Sequence, residues 1–374
     1  MIRIPIIRIK EESQTTQIRL HHARRRGWLE MRWPRAPAAA TAAAAAALWG
    51  EPASGASIWG VGKPQGHVEV RDVLPTPAEF FTEYVRPKDG PFAGVGKPVL
   101  FRGAAKRMPA YEKWTDEYLR EKHGSVRMDQ VETEKAETRT KYPHEDWTLE
   151  KFIDNYNTSE IYSTAQTPEG LSDDVYLLPC VNCGGFHSKM ATTVTWFSSG
   201  STRSVIHSDA QQNLHCMFDG RKDWILWSPT SKINSPRMGW VHAEEESKTN
   251  PAFKDAYGQY VGHIDVDDVD LKKYPGWGKL SWWNLTLQKG DCAYIPPRWF
   301  HFVEAPAQRS LSVHVWFDVG KSFKSDGCET LRQRGLNLSD YLIRLSDCQW
   351  GFGEKTRKPT KCKVKKPLSK SDEL

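Results

Sequence analysis

His207-Ser208-Asp209 sets an imidazole and a carboxylate two residues apart in an alternating run, Ser204 to Asp209. Side chains on a strand repeat with period two, so both groups face one side and can reach a single metal ion. A second imidazole from a distant strand would complete the facial triad that holds non-haem iron(II) and leaves coordination positions open. His301, closing the run Gly290-Asp291-Cys292-Ala293-Tyr294-Ile295-Pro296-Pro297-Arg298-Trp299-Phe300-His301, is the candidate. His-x-Asp alone is a weak signal, more often a surface pair or a hydrogen-bonded core histidine. A cation sharpens it. Gly220-Arg221-Lys222-Asp223-Trp224 puts Lys222 across an expected hairpin from the His-x-Asp strand. An ammonium inside a barrel is costly unless paired, and it suits the far carboxylate of a dicarboxylate that chelates the metal by its other end. Taken by itself, Lys222 reads first as a solvent-facing hairpin lysine.

Such a constellation needs a scaffold of short strands. Thr192 to Phe197, Ser204 to Asp209, Asn213 to Phe218 and Trp224 to Trp227 are apolar or alternating, with Asp219-Gly220 as a hairpin signal between the last two. A loop-rich insertion runs from Ser228 to Gly278. Strands resume at Leu285 to Leu287, Cys292 to Ile295, Trp299 to Val303 and Leu311 to Phe317. Many short strands without long helices between them indicate a jelly roll or barrel. Upstream, Thr76-Pro77-Ala78-Glu79 is a capping box that opens a helix through Phe80, Phe81 and Tyr84. Lys97 to Arg102 reads as a strand, Thr115 to His123 as a helix stopping at Gly124, and Thr148 as the cap of a further short helix. The fold expected is mainly β, a double-stranded β-helix wrapped by N-terminal and C-terminal helices. Its parts are an α/β wrapping region over 57–174, a catalytic core over 175–319 and a helical region over 320–350 that includes Glu329 to Leu345.

Ser204 to Pro229, with His207, Asp209, Asn213 and Lys222 in order, resembles the metal-binding segment of the JmjC/cupin-like oxygenases. In motif it is closest to the asparaginyl hydroxylase that inhibits the hypoxia-inducible factor. Ile264 to Tyr274 is similar to that family's acidic segment ahead of the distal histidine, and the likeness covers roughly Val73 to Asp318. The resemblance implies His207, Asp209 and His301 as ligands of Fe(II), and Lys222 as the ion-pair partner of 2-oxoglutarate. It puts Ser204 where the family places a hydroxyl on the co-substrate, and Asn213 beside the same site. Tyr176 is its candidate phenol. His314 stands where the relative has Asn, which leaves that contact open, and Asn213 and His314 read equally as satisfied polar groups. His187 and His215 have no partner at metal spacing and read as ordinary residues.

The ends of the chain read as addresses. Arg32 and Arg35, the apolar run Ala36 to Trp49 and the small residues Pro52 to Ala56 form a secretory signal within an upstream extension over 1–56, with Met31 as the expected initiator. The apolar run, about 14 residues, falls short of the roughly 20 that span a bilayer, so no transmembrane anchor is expected. An Arg-rich organelle transit peptide is the competing reading. The basic tail over 351–374 ends in Lys370-Ser371-Asp372-Glu373-Leu374, a variant of the address read by the endoplasmic-reticulum retrieval receptor. Asn157, Asn284 and Asn337 are glycosylation triplets that suit that lumen. The net charge of +6 gathers at the two ends. The middle carries no basic stripe with interleaved aromatics, so nucleic acid is not the expected partner. Seven cysteines leave at least one without an intrachain partner, and Cys180-x-x-Cys183, between Pro179 and Gly184-Gly185, reads as a structural disulfide or an inert pair.

The activity implied is oxidation: 2-oxoglutarate is decarboxylated to succinate while a side chain of a secretory-pathway protein or peptide is hydroxylated. A JmjC-type demethylase is one rival. A non-catalytic cupin scaffold of the lumen, or a cupin with another metal and no 2-oxoglutarate, are others. The C-terminal helices would serve a homodimer.

Overall fold

In the computed structural model the residues described are 56–136, 143–144, 146–186, 189–231, 233, 238, 240–242, 260–262, 264–325, 328 and 338–340. The signal-like run, the tail, Asn337, His187 and most of the expected C-terminal helix lie outside them. Leu338–Asp340 is a single 3₁₀ turn.

Eight strands make the central barrel: β1 (Met190–Ser198), β2 (Ile206–Ser208), β3 (Gln212–Asp219), β4 (Arg221–Trp227), β5 (Ser281–Gln288), β6 (Cys292–Ile295), β7 (Phe300–Ala305) and β8 (Ser310–Phe317). They divide between two antiparallel sheets. One runs β6-β3-β8-β1 and the other β5-β4-β7-β2. Consecutive strands therefore alternate between sheets except for β4 and β5, which are neighbours in one sheet on either side of the insertion, and this is the double-stranded β-helix. The tight turn read from sequence as a hairpin signal does a different job. Asp219-Gly220 carries β3 of one sheet into β4 of the other, and Gly290-Asp291 carries β5 into β6. Gly220 has φ 76°, and a Cβ there would lie 2.1 Å from the Arg309 carbonyl oxygen, so only glycine fits. Lys222 is consequently not across a hairpin from His207. It lies in the same sheet, on the far side of β7.

Period-two alternation sorts the strands' side chains. Leu214, Cys216, Phe218, Leu311, Val313, Val315 and Phe317 point outward, onto a core completed by Phe80, Tyr84, Phe101, Trp114, Leu119 and Phe152 of the N-terminal region. Met217, Trp224, Leu226, Leu285, Leu287 and Ile295 fill the barrel with Trp299. Ile225, Trp227, Phe300 and Phe302 face a third core with Trp277 and Trp282 from the insertion and its exit. Both faces of β3 and β8 are thus covered, which is why they read as nearly continuous apolar runs.

The wrapping region forms as its local chemistry dictates. Thr76 and Glu79 exchange backbone-to-side-chain bonds of 3.2 and 2.8 Å in a complete capping box, and the helix Pro77–Glu79 continues as a π-helical stretch, Phe80–Val85, that buries Phe80, Phe81 and Tyr84. Thr115 caps Asp116–His123 and Thr148 caps Leu149–Asn155. The strand expected over Lys97 to Arg102 is Val99–Phe101, bonded to β6. Arg309 ties this region to the barrel, bonding Asp116 at 2.9 Å, Asp219 at 2.6 Å and the Trp114 carbonyl at 2.8 Å. The insertion contributes a two-stranded ribbon, Trp240–His242 and Tyr260–Gly262, that extends the second sheet beyond β2.

Disulfides join Cys216 of β3 to Cys292 of β6, and Cys183 to Cys328. The expected pairing within Cys180-x-x-Cys183 does not form. Cys180 is fully buried on the 3₁₀ turn Pro179–Val181, and burial pushes its thiol up to about 12, so it is inert. Asn157 is exposed just after its helix. Asn284 stands mid-strand in β5 with its amide oxygen buried and is a poor acceptor in the folded chain.

Candidate metal centre

β7 is the strand on which the site is assembled. His301 sits directly opposite His207 of β2 on one side and Leu226 of β4 on the other. Asp209 follows two residues after His207. The structure ends β2 at Ser208, so Asp209 lies just past the ladder, its carbonyl accepting the Arg298 N–H at 2.7 Å. The three side chains converge nonetheless. His207 Nε2 is 4.0 Å from Asp209 Oδ1, and His301 Nε2 is 3.9 Å from Asp209 Oδ2. All three ligand atoms fall within 4.8 Å of one another.

The surroundings prepare both imidazoles for a metal. Nδ1 of His207 lies 2.9 Å from the Val205 carbonyl and Nδ1 of His301 lies 2.9 Å from the Trp299 carbonyl. Each carbonyl claims the Nδ1 hydrogen and leaves Nε2 as a lone pair aimed at the common point. Burial, reinforced by His207, lowers His301 to about 4, so it is neutral and able to ligate at ordinary pH. Asp209 is held by Trp316 Nε1 at 3.3 Å and Asn213 Nδ2 at 3.5 Å. Two imidazole nitrogens and one carboxylate converging at one point are the donor set that suits Fe(II) and leaves further positions for small ligands.

A cavity opens from this point, with all three residues of the triad on its wall. Lys222 lines it, 6% exposed, with its ammonium 4.9 Å over the Trp196 ring. Ser204 lines it too, its hydroxyl accepting the Val303 N–H at 3.0 Å. Asn213 stands behind the wall, bridging Asp209 and His314. His314 is on the wall. Tyr176 is not among the lining residues and packs instead against the N-terminal core. The phenol that lines the cavity is Tyr162, on the short strand Tyr162–Ser163 paired to β1 and stacked 6.2 Å from Trp196. A two-residue strand leaves little trace in sequence. His215 also lines the cavity. Its place beside Asn213 in an alternating run was the available signal, since i and i+2 share a face.

The cupin-like domain family matches residues 90–323, a span that holds all eight barrel strands and every residue of the triad. This chain belongs to the JmjC/cupin-like family. It is 27% identical over 261 residues to "Lysine-specific demethylase 8" of Danio rerio, covering 65% of this chain and 56% of that protein. It is 24% identical over 276 residues to "Bifunctional peptidase and (3S)-lysyl hydroxylase JMJD7" of Homo sapiens, covering 68% and 84%. With "Jumonji C domain-containing protein 5" of Drosophila melanogaster it shares 26% over 242 residues, 60% of this chain and 55% of the other. The chain thus spans little more than half the length of the fish and fly proteins. Two of these names mention lysine, whereas the motif likeness drawn from sequence is to an asparaginyl enzyme.

Proposed function

We propose that this protein is an Fe(II)- and 2-oxoglutarate-dependent oxygenase that hydroxylates a side chain on proteins or peptides of the secretory pathway. The observation that carries the reading is the convergence of His207, Asp209 and His301 at one end of a cavity that also holds the buried ammonium of Lys222. His207, Asp209 and His301 would hold the iron, which when bound supplies O₂ activation coupled to oxidation of the keto acid. Lys222 would fix the distal carboxylate of 2-oxoglutarate by a charge-assisted bond, with Ser204 beside it. Trp316 and Asn213 would keep the Asp209 carboxylate turned to the metal. The barrel's apolar filling would keep water from the reacting end.

Two disulfides among the described residues favour an oxidising compartment. With the signal-like run and the terminal Ser-Asp-Glu-Leu, they support residence in the lumen of the endoplasmic reticulum and capture by the retrieval receptor. No helix among the described residues is long and apolar enough to cross a membrane.

The test is to express the protein in cells and in purified form. The cellular product should be sensitive to endoglycosidase H and lack the residues before about Ala56; a nuclear, unglycosylated product would contradict the luminal reading. The purified protein, given Fe(II), 2-oxoglutarate and luminal client peptides, should form succinate together with peptides that gain one oxygen atom. Formaldehyde release with loss of a methyl group would instead support the demethylase reading, which the name of the fish relative favours.

A further inference from the structure

His215 and His314 face each other across β3 and β8, their ring centroids 3.6 Å apart and both buried. Ring contacts link them to the metal triad through Trp224 and to Lys222 through Trp196. Trp224 lies against both His301, at 5.3 Å, and His215, at 5.2 Å, while Trp196 lies 5.4 Å from His314 and carries the Lys222 ammonium over its ring. All of these residues line the cavity.

Five polar atoms of the two histidines and the two tryptophans lack a hydrogen-bond partner among the described residues. Both ring nitrogens of His215, Nε2 of His314, and the indole nitrogens of Trp196 and Trp224 are buried without a hydrogen bond. A buried donor left unmade is destabilising, and an apolar residue in its place would relieve the fold. The chemical sense of these atoms is largely fixed. An indole nitrogen can only donate. The Asn213 amide donates to Nδ1 of His314 at 3.1 Å, which leaves the His314 hydrogen on Nε2, the unpartnered atom. Burial keeps both imidazoles neutral, with Lys222 and His301 adding to the effect, so His215 also brings one N–H. Beside the ammonium, these side chains offer four unpartnered N–H donors against one bare imidazole nitrogen, on His215, while the Asp209 and Glu304 carboxylates line other parts of the cavity; that end suits a ligand rich in anionic oxygen.

We propose that His215 and His314 are co-substrate contacts, donating with Trp196, Trp224 and Lys222 to the oxygens of a bound dicarboxylate, and that His215 serves this ligand rather than the fold. The assignment rests on the oxygenase reading above.

The experiment loads the protein with Mn(II) in place of iron and measures melting temperature, Mn(II) affinity and 2-oxoglutarate affinity by calorimetry, for wild type, His215→Leu and His215→Gln. His215→Leu removes two unpartnered atoms, so its ligand-free melting temperature should equal or exceed that of wild type. Its Mn(II) affinity should stay within about twofold while 2-oxoglutarate binds about tenfold more weakly, equivalent to about 1.4 kcal/mol. His215→Gln, which retains an N–H, should recover binding to within about threefold of wild type. A His215→Leu variant that binds 2-oxoglutarate as tightly as wild type, or that fails to fold, overturns this assignment and leaves the oxygenase reading standing. A Mn(II)-loaded wild type that takes up no 2-oxoglutarate overturns both.

Discussion

Replacing Lys222 with alanine isolates the co-substrate end of the site from the metal end. The side chain is 6% exposed and its ammonium lies inside the cavity, so a ligand carboxylate meeting it does so largely out of water. Removing one partner of such a pair typically costs about 2–5 kcal/mol, most of it from leaving the other charge unpaired. Here the neighbouring donors on His215, His314, Trp196 and Trp224 remain to share that carboxylate, which places the loss toward the lower end. The expected weakening is about thirty- to three-hundred-fold in the 2-oxoglutarate dissociation constant. Lys222→Arg should recover only part of it, because a planar fork does not fit a space shaped by an ammonium over an indole. Calorimetry on Mn(II)-loaded protein measures the constant directly, and Mn(II) affinity should be nearly unchanged because Lys222 is not a ligand. A change under about threefold in Lys222→Ala would refute the assignment and return Lys222 to a structural role.

Other consequences follow from named groups. Asp209→Ala removes the only carboxylate of the triad and should abolish or severely weaken metal binding while the fold persists, read by metal titration with circular dichroism as control. Arg309→Ala removes the guanidinium that joins Asp116 to Asp219, leaving Asp116 with Tyr156 and Asp219 with Lys289, and loosens the wrapping region from the barrel. With the arginine 22% exposed, the loss should be about 2–4 kcal/mol in denaturant unfolding, and a change below about 1 kcal/mol would show the network to be ornamental. The metal-free protein should weaken in acid. His301 titrates near 4 when folded against 6.5 for a free imidazole, and burial lowers His215 and His314 as well. Below pH 6.5 the unfolded chain takes up protons that the folded chain refuses, so stability present above that pH should fall as the pH drops toward 4. Flat stability over that window would contradict the neutral burial of these histidines.

The barrel was legible in the sequence because its strands are marked by composition, and the convergence of His207, Asp209 and His301 because the spacing of His-x-Asp, a distant histidine and the resemblance to the family pointed to the same three residues. Two things were not legible, for physical reasons. A tight Asp-Gly turn looks the same whether it returns the chain to its own sheet or passes it to the facing one, so Asp219-Gly220 suggested a hairpin and misplaced Lys222. Cavity membership depends on which strands flank each other. Tyr162 reaches the site only because its two-residue strand pairs with β1, and His215 only because β3 lies beside β8, while Tyr176 was carried off to another core. The disulfides illustrate the same limit, since Cys183 finds Cys328 at a sequence separation of 145 and ignores Cys180 three residues away.

The central claim is that the triad and the donor-lined cavity form one unit, a metal that recruits a dicarboxylate. Anaerobic titration of Fe(II) into the protein, with and without 2-oxoglutarate, tests it most directly. The account predicts one iron per chain, tight uptake of 2-oxoglutarate only in the iron-loaded protein, and loss of both in Asp209→Ala. Iron binding that is indifferent to 2-oxoglutarate, or no iron binding, would contradict it.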